Sequence, residues 1–496
     1  MQRPLRLLAL DLGGESGRAL VGKFDGSRLE LEEAHRFPNV PVRVGGTLHW
    51  DILRLFGDVL TGLRSALSGG QLASVGVDAW GVDFGLLDAR GRLLSNPVHY
   101  RDRRTEGMLE LALQRVPAEA MYATTGIQFI PINTLYQLLA MVQARDPDLE
   151  RAERLLLIPD LLHHFLCGSD VVEYTNATTT QCLDATSGTW AMELLACLDI
   201  PTRVFPDIVP PGSVLGGLRA DVAGELPGTD GVRVVAPGTH DTASAVAATP
   251  LPADGSTAFL SSGTWSLLGL ELRQPLLSVA ARECNLTNEG GVAGTIRLLK
   301  NVMGLWLVQE ARRALAAAGS TLSYEALTAL AADAKPFTAF IDPDDERFLR
   351  PGDLPSTVRA YCSEVGQPAP ADPGSLVRVL LESLALKYAV VLRQLETARG
   401  RAIDTIHVVG GGSNNAFLCQ LTANASGLPV LAGPSEATAL GNLIVQAITL
   451  GELASLDEAR TLVAESFPAR RYEPAGDWSF PRQRFEEILR LPSKEL

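Results

Sequence analysis

Three short stretches of the sequence combine carboxylates, hydroxyls and glycines in ways that suit phosphate and sugar chemistry. The first runs from Asp11 to Arg18 and reads DLGGESGR. Glycines let backbone N–H groups approach phosphate oxygens, because no Cβ stands in the way. An aspartate at the start of such a turn can hold a divalent cation, usually through water. The stretch therefore predicts a phosphate-binding turn, and a plain glycine-rich hairpin turn is the alternative interpretation.

The second stretch, Asp78 to Phe84, reads DAWGVDF. Carboxylates bond sugar hydroxyls, a glycine lets backbone line a pocket, and an indole face packs on a sugar ring. The stretch is therefore a candidate sugar site. Taken alone, it would more simply be a β-hairpin with a buried tryptophan.

The third stretch, Gly238-Thr239-His240-Asp241, follows a predicted strand and precedes a predicted helix. Aspartate is a common helix N-cap, which is the simpler role for Asp241. The carboxyl ends of strands are also where α/β proteins place their reactive groups. Asp241 could then accept a proton from a substrate hydroxyl. His240 would be a second hydrogen-bonding group or a structural histidine.

Two later stretches repeat parts of this chemistry. Ser262-Gly263-Thr264 offers hydroxyl and amide donors, and Gly410-Gly411-Gly412 follows a predicted strand and opens a helix. The run from Gly17 to Lys23, which overlaps the first stretch, fits the Walker A pattern G-x-x-x-x-G-K. Phe24, however, stands where a Walker A loop has a serine or threonine, which argues against that alternative. Each of these signals is weak alone, and their order along the chain is what carries weight.

The elements that must position these residues alternate between strands and helices. Apolar runs predict strands at Leu5–Asp11, Arg18–Phe24, Ala73–Asp78, Val232–Ala236, Thr257–Leu260 and Thr405–Val409. Helical periodicity predicts helices at Thr134–Arg145, Asp160–Leu166, Thr242–Ala248, Ser375–Glu396 and Asn414–Ala425. The strand–turn–strand pattern around Gly13 recurs around Gly263, half a chain length later. We therefore expect an α/β fold with two related domains.

Composition narrows the class of protein. A chain of 496 residues is long enough for two or three domains. A net charge of −14 argues against binding to nucleic acid or to anionic membranes. No apolar run reaches the ~18–20 residues of a membrane span, and the apolar run near the start is too short for a signal peptide. The six cysteines show no C-x-x-C spacing, which is typical of reduced cytoplasmic thiols. We expect a cytoplasmic protein, either a monomer or a dimer.

The order of the motifs resembles the FGGY carbohydrate kinases of the actin/hexokinase/Hsp70 ATPase superfamily. The matching stretches, from residue 11 to residue 430, are DLGGESGR (11–18), VDAWGVDFGLLD (77–88), NPVHYRD (96–102), NTLYQL (133–138), PGTHDTASAVAA (237–248), SSGTWSLLG (261–269), LKNVMGLWLVQE (299–310) and HVVGGGSNNAFLCQLTANASGLPV (407–430). The resemblance implies two ribonuclease-H-like domains with a catalytic cleft between them. We expect an N-terminal domain over 1–245, with the sugar site and first phosphate loop, and a nucleotide-binding domain over 246–496.

The resemblance also implies roles for individual residues. Asp241 would be the catalytic base, and Asp11 would hold Mg²⁺ through water. The residues implied to bind ATP are Gly13, Gly14, Glu15, Ser16, Gly17, Thr264, Gln309 and Gly411. Those implied to bind the sugar are Gly81, Thr239, His240, Asp241 and Asn301.

Within the family, WGVDFGLLD together with GTHDTASA favours the ketose L-rhamnulose as the acceptor, phosphorylated by ATP at O1, over xylulose or glycerol. Another ketose such as L-fuculose or L-xylulose is the alternative substrate. A chaperone-like ATPase or a sugar sensor without turnover is the alternative of another class, and the presence of Asp241 argues against a sensor.

Overall fold

The computed structural model describes residues 4–491, which form an α/β protein. Its strands are β1 (Leu5–Leu12), β2 (Ser16–Phe24), β3 (Leu29–Pro38), β4 (Val42–Val44), β5 (Thr47–His49), β6 (Ser74–Ala79), β7 (Phe84–Leu87), β8 (Arg154–Leu157), β9 (Val172–Glu173), β10 (Ile208–Val209), β11 (Ser213–Gly217), β12 (Arg233–Ala236), β13 (Thr257–Ser262), β14 (Trp265–Leu272), β15 (Thr287–Gly290), β16 (Ile296–Met303), β17 (Thr405–Val409), β18 (Val430–Ala432) and β19 (Arg470–Tyr472).

Helices connect most of these strands. They are α1 (Ile52–Ser68), α2 (Met108–Arg115), α3 (Ala118–Thr125), α4 (Thr134–Ala144), α5 (Pro147–Arg151), α6 (Ile158–Cys167), α7 (Tyr174–Ala177), α8 (Met192–Cys197), α9 (Ala220–Glu225), α10 (Asp241–Ala247), α11 (Val279–Glu283), α12 (Trp306–Ala317), α13 (Tyr324–Asp333), α14 (Leu354–Glu364), α15 (Pro373–Arg399), α16 (Ala416–Ser426), α17 (Ala437–Thr449), α18 (Leu456–Ser466) and α19 (Ser479–Leu489). The strands and helices predicted from the sequence are confirmed, with bounds shifted by a few residues.

The chain divides into two compact units, each assembled from three stretches of sequence. The first unit comprises the residues up to Pro250, then Glu271–Leu298 and Glu436–Pro468. The second comprises Leu251–Leu270, Leu299–Ser435 and the residues from Ala469 onward.

The first unit is built on a mixed sheet with the strand order β11-β12-β6-β1-β2-β3. Strand β1 pairs antiparallel with β2 and parallel with β6, and β12 also runs parallel to β6. The continuous apolar run Leu7–Leu10 is fully buried in β1, as expected for a strand covered on both faces. The carboxyl ends of β1, β6 and β12 therefore meet at one edge of the sheet.

Helix α17 packs on this sheet and supplies polar groups to its interior. Gln446 accepts a hydrogen bond from Ser74 Oγ at 2.6 Å and donates to the Leu8 carbonyl at 2.9 Å. Asn442 donates to the Gly76 carbonyl at 3.1 Å. A Cβ at Gly76 would lie 2.6 Å from the Asn442 amide oxygen, so this close approach requires glycine.

The second unit contains a sheet whose strands follow the order β16-β14-β13-β17-β18-β19. Strand β13 pairs antiparallel with β14 and parallel with β17, which repeats the β1, β2 and β6 arrangement of the first unit. The long helix α15 starts at a capping box formed by Asp372 and Ser375, and Gly400 ends it. The predicted recurrence of the strand–turn–strand pattern is thus confirmed.

Within residues 4–491, no helix combines the length and apolar character needed to cross a bilayer. The six cysteines are all free thiols.

Candidate active site

Three aspartates lie at the shared edge of the first unit's sheet. Asp11 and Asp78 are register partners near the ends of the parallel strands β1 and β6. Asp241 follows β12, and the Ala79 N–H joins the end of β6 to the Thr239 carbonyl at 2.9 Å. The edge therefore brings together Asp11, Gly13–Gly17, Gly81 and Thr239–Asp241, all of which the sequence predicts as site residues.

The electrostatics of this edge are dominated by the crowding of negative charge. Asp78 is fully buried, and burial together with the charge of Asp11 raises its pKa well above the usual range. One oxygen of Asp78 accepts a hydrogen bond from Asn442 at 2.6 Å, and the other is buried without a partner. Burial also raises the pKa of Asp241, and His240 opposes that rise. A raised pKa favours a carboxylate that takes up a proton.

The β1–β2 turn, Gly13–Glu15, is held by backbone contacts. The Gly13 N–H donates to the Ser16 carbonyl at 2.9 Å, and Asn39 bonds the carbonyls of Gly13 and Glu15 at 2.9 and 2.8 Å. A Cβ on Gly13 would meet only the Ser16 carbonyl oxygen, at 3.4 Å. The turn therefore leaves open space at Gly13, which suits close approach by a ligand.

At Gly17, unlike Gly13, a side chain is excluded by a neighbouring residue of the protein. Gly17 lies within β2, and a Cβ there would sit 2.2 Å from the Phe37 ring. The run from Gly17 to Lys23 is strand, so the Walker A alternative is excluded. Arg18, next in the strand, pairs with Asp11 at 2.7 Å and with Glu436 at 2.5 Å. One oxygen of Asp11 is thereby occupied by a guanidinium.

The β6–β7 turn, Trp80–Asp83, is held by side chains. Asp83 is fully buried and accepts bonds from the indole nitrogens of Trp50 and Trp80 at 2.6 and 3.0 Å. It also accepts the Tyr100 N–H at 3.2 Å and the Gln137 amide at 3.0 Å. The simple hairpin interpretation of this stretch is wrong, because β7 pairs with β8 and not with β6.

Val82, in the middle of this turn, has a φ of +67°. A β-branched residue rarely adopts the left-handed region, so the surroundings must enforce it. Thr179 accepts its N–H at 3.1 Å, and Thr134 donates to its carbonyl at 2.6 Å. A Cβ on neighbouring Gly81 would lie 2.9 Å from Thr179, so glycine there lets Thr179 reach Val82.

The third turn, which carries Asp241, corrects the capping interpretation. His240 occupies the N-cap position, and Asp241 is the first residue of α10. Behind the turn, the buried carboxylate of Glu173 accepts both the N–H and the hydroxyl of Thr239, at 2.9 and 2.7 Å. Thr175 donates its N–H and hydroxyl to the same carboxylate. The backbone leading to Asp241 is therefore fixed by a buried acid.

Sequence reasoning missed this supporting layer. The buried side chains that hold the site's turns come from scattered parts of the chain: Gln137, Glu173, Thr179, Glu289 and Arg297. Arg297 gave a signal that could have been followed, because it is a charged residue among Ile296, Leu298 and Leu299 at the apolar start of β16.

The second unit holds the remaining predicted residues. Thr264 lies in the β13–β14 turn, where its carbonyl accepts the Trp306 N–H at 3.1 Å at the start of α12. Gln309 lies in the first turn of that helix, and its side-chain oxygen is buried without a partner. Gly411 is exposed with open space at its Cβ position, and Asn301 lies on β16, which leads toward α12.

Magnesium can be tested against the donor set at the first unit's edge. Among the described residues, no group of three or more His, Cys, Asp or Glu side chains could hold a metal ion. Mg²⁺ in phosphate-transfer sites usually takes only one or two carboxylates, the rest being phosphate oxygens and water. Asp11, with the buried unpartnered oxygen of Asp78 on the adjacent strand, fits that requirement.

Comparison with protein families identifies the chain. The N-terminal domain of the FGGY family of carbohydrate kinases matches residues 6–248, and its C-terminal domain matches residues 258–450. This chain belongs to the FGGY family of carbohydrate kinases. It is therefore an ATP-dependent carbohydrate kinase, as its motif order predicts.

Individual FGGY relatives agree. The chain is 44% identical over 467 residues to a curated protein named rhamnulokinase from Bacteroides thetaiotaomicron, covering 94% of this chain and 95% of that one. A rhamnulokinase from Pectobacterium atrosepticum is 43% identical, covering 96% and 94%. Among solved structures, gluconate kinase from Lactobacillus acidophilus has a TM-score of 0.78 at 17% identity, covering 98% and 97%. Xylulose kinase from Rhodospirillum rubrum has a TM-score of 0.75 at 20% identity, with the same coverage. These structures support the two-domain FGGY fold.

Proposed function

We propose that this chain transfers the γ-phosphoryl group of ATP to O1 of L-rhamnulose, giving L-rhamnulose 1-phosphate and ADP. The observation that carries the proposal is the near full-length identity of 44% to a protein named rhamnulokinase. The sheet edge of the first unit supports it, because that edge presents Asp241 on the helix that follows β12.

Asp241 is the proposed base. Its carboxylate accepts the proton of the O1 hydroxyl as O1 attacks the γ-phosphorus. The bond between the γ-phosphorus and the bridging oxygen breaks, and its electron pair leaves with ADP. Burial raises the pKa of Asp241, His240 lowers it, and the charge of Asp11 adds to the rise. This balance suits a group that must be ionised before the step and protonated after it.

The other predicted residues take binding roles. Gly13–Gly17 in the first unit bring backbone N–H groups to the ATP phosphates. Thr264, Gln309 and Gly411 in the second unit contact the nucleotide, and Asn301 contacts the sugar. Gly81, Thr239 and His240 line the ketose site. Mg²⁺, when bound, would neutralise charge on the terminal phosphates, and Asp11 would hold it through water.

A sugar panel tests the proposal. The purified full chain is given ATP and Mg²⁺ with L-rhamnulose, L-fuculose, L-xylulose or glycerol, and ADP release is followed by a coupled assay. We expect kcat/KM for L-rhamnulose to exceed that for every other acceptor by at least about tenfold. Phosphorus–carbon coupling in the NMR spectrum of the product should place the phosphate on C1. A higher kcat/KM for L-fuculose or L-xylulose would replace the proposed substrate but keep the kinase chemistry.

A further inference from the structure

Arg297 is a fully buried arginine beside the turn that carries Asp241. It lies near the start of β16 and is 0% exposed. Its Nε donates to the Gly290 carbonyl at 2.9 Å, its Nη1 lies 3.2 Å from Glu289 Oε2, and its Nη2 lies 3.1 Å from His240 Nδ1. A buried ion pair adds little to stability by itself. Stability alone therefore does not explain this buried arginine, and we look for its role in the site.

The contact with His240 determines where the imidazole proton lies. A guanidinium has only donors, and it stays protonated inside proteins. Nδ1 of His240 must therefore be the acceptor facing Arg297. Glu289 Oε2 lies 3.2 Å from Nδ1 and also 3.2 Å from Arg297 Nη1, so it makes ion-pair contacts with both groups. Two donors facing each other at 3.1 Å would be unfavourable, so the contact with Arg297 favours a ring without a proton on Nδ1, and a proton on Nδ1 directed at Glu289 is the competing arrangement.

The remaining proton of the neutral ring then lies on Nε2. That nitrogen faces Asp241 Oδ1 at 3.4 Å. The distance is long for a hydrogen bond, but bonds of this kind commonly shorten when substrate binds. An Nε2–H pointed at one oxygen of Asp241 leaves the other oxygen for the substrate hydroxyl.

We propose that Arg297 is a positioning residue that fixes the tautomer of His240, and through it the orientation of Asp241. Glu289 holds the guanidinium in place. The inference rests on the proposed function for the role of Asp241, whereas the tautomer itself depends only on this cluster. The charged groups that surround His240 are Arg297 on β16, Glu289 on β15, Asp241 on α10 and Glu173 behind Thr239.

The first test is the tautomer, read without substrate. The full chain is labelled with ¹⁵N in its seven histidine rings, and the His240 signal is assigned by its loss in His240→Gln. We expect nitrogen shifts of a ring protonated on Nε2 alone. A ring protonated on Nδ1, or on both nitrogens, would overturn the proposal. Because no sugar is present, this outcome is independent of which ketose, if any, the enzyme phosphorylates.

The second test uses variants. In Arg297→Met, Nδ1 loses its donor and Glu289 is left to accept from it, so we expect the proton to move to Nδ1. kcat should fall about 10–100-fold, as for partners that orient a reactive group, while the ketose KM stays within about threefold. Glu289→Gln keeps a hydrogen-bonding oxygen for Arg297 and should retain the Nε2 tautomer with most of the activity.

Arg378→Met is the matched control for loss of a buried arginine. Arg378 bonds Glu382 at 2.6 Å in the second unit and contacts none of the residues above. It should lose thermal stability but retain kcat and the His240 tautomer. Equal losses of kcat in the Arg297 and Arg378 variants would show that Arg297 acts only through stability. If Arg297→Met fails to fold, the wild-type and Glu289→Gln spectra still decide.

Discussion

The β1–β2 turn and the β6–β7 turn leave neighbouring strands at register-paired aspartates, yet they are built in opposite ways. The first, Gly13–Glu15, is held by one backbone bond within the turn and by two bonds from Asn39. The second, Trp80–Asp83, is held by buried side chains from three other segments and by the Tyr100 N–H, and it keeps Val82 at a φ of +67°. One turn is open around its backbone, and the other is fixed from several sides.

The difference matches the ligands proposed for each turn. A triphosphate presents the same oxygens in every ATP molecule, so backbone N–H groups with room around them are enough to bind it. The site must discriminate a ketose from its stereoisomers. This requires rigid polar groups that do not rearrange to bond a hydroxyl of the wrong configuration. We infer that the rigid β6–β7 turn serves discrimination between sugars, whereas the open β1–β2 turn serves phosphate binding.

The largest effect should come from the third turn, which adds a reactive group to a fixed backbone. Asp241→Asn removes the proton acceptor and should lower kcat by about 10²–10⁴-fold, with the ketose KM little changed. The fold should persist, because the Asp241 side chain contacts only its neighbours in the chain, the Thr242 hydroxyl at 3.1 Å and His240 Nε2 at 3.4 Å, and His240 occupies the cap. Steady-state kinetics and thermal melts measure both. Asp25→Asn, the same change in an exposed turn, is the control, and an active Asp241→Asn enzyme would remove Asp241 as the base.

The next largest effect is a pH dependence of the free energy of unfolding, which comes from Asp83 in the β6–β7 turn. Burial raises the pKa of Asp83 to about 6. The native state therefore binds more protons than the unfolded chain between about pH 4 and pH 6. The contribution of Asp83 to the free energy of unfolding is present at low pH and is lost as pH rises through 6, by up to about 3 kcal/mol.

Asp83→Asn should lack this dependence. Urea unfolding of wild type and variant from pH 4.5 to pH 7.5 measures the difference. We expect the free energy of unfolding of wild type, minus that of the variant, to decrease across the acidic range and to level off above about pH 7. A difference that does not change with pH would mean that Asp83 titrates normally in the folded protein.

In the β1–β2 turn, an added side chain should weaken ATP binding without destabilising the fold. In Gly13→Val the branched side chain meets little protein but obstructs the approach of phosphate to the backbone. We expect ATP affinity to fall about 10–100-fold, with ketose affinity and melting temperature nearly unchanged. Calorimetric titration of each ligand separates the two affinities.

Two other glycine substitutions calibrate that result. Gly57→Val, at a position with no atom near its Cβ, should leave both affinities intact. Gly17→Ala should lower the melting temperature, since its Cβ would lie 2.2 Å from the Phe37 ring. Equal losses of ATP and ketose binding in Gly13→Val would point to misfolding and would break the contrast between the two turns.

The smallest effect should come from releasing the strain at Val82. Val82→Gly removes a left-handed cost of about 1–2 kcal/mol but also loosens the turn. We expect an unchanged or slightly higher melting temperature and a ketose KM raised about 3–10-fold, with ATP KM unchanged. A ketose KM equal to wild type would show that the turn needs no enforcement.

Much of this site could be predicted from local sequence. The run Leu7–Leu10, the glycines after Asp11 and the position of Asp241 after a β-branched strand are short-range signals, and all lie where they were expected. They depend on steric rules that act within a few residues.

The supporting layer could not be predicted in this way. Asp83 is bonded by Trp50 and Gln137, and Thr239 by Glu173, so each contact joins segments distant in sequence. A buried polar residue carries no periodic signal that names its partner. The capping interpretation of Asp241 failed for a smaller reason, because a shift of one residue at a helix start moves the cap to His240.

Helix α17 has a consequence for the synthesis of the chain. Its Asn442 and Gln446 bond Asp78, Gly76, Ser74 and Leu8 in strands made near the start of translation. Until about nine-tenths of the chain has left the ribosome, those groups have no partner from the helix, although the strands that carry them already exist. The first unit is thus the earlier of the two to begin folding and cannot finish until α17 is made. We expect its nascent strands to expose apolar surface during that interval, which makes the unfinished unit prone to aggregation.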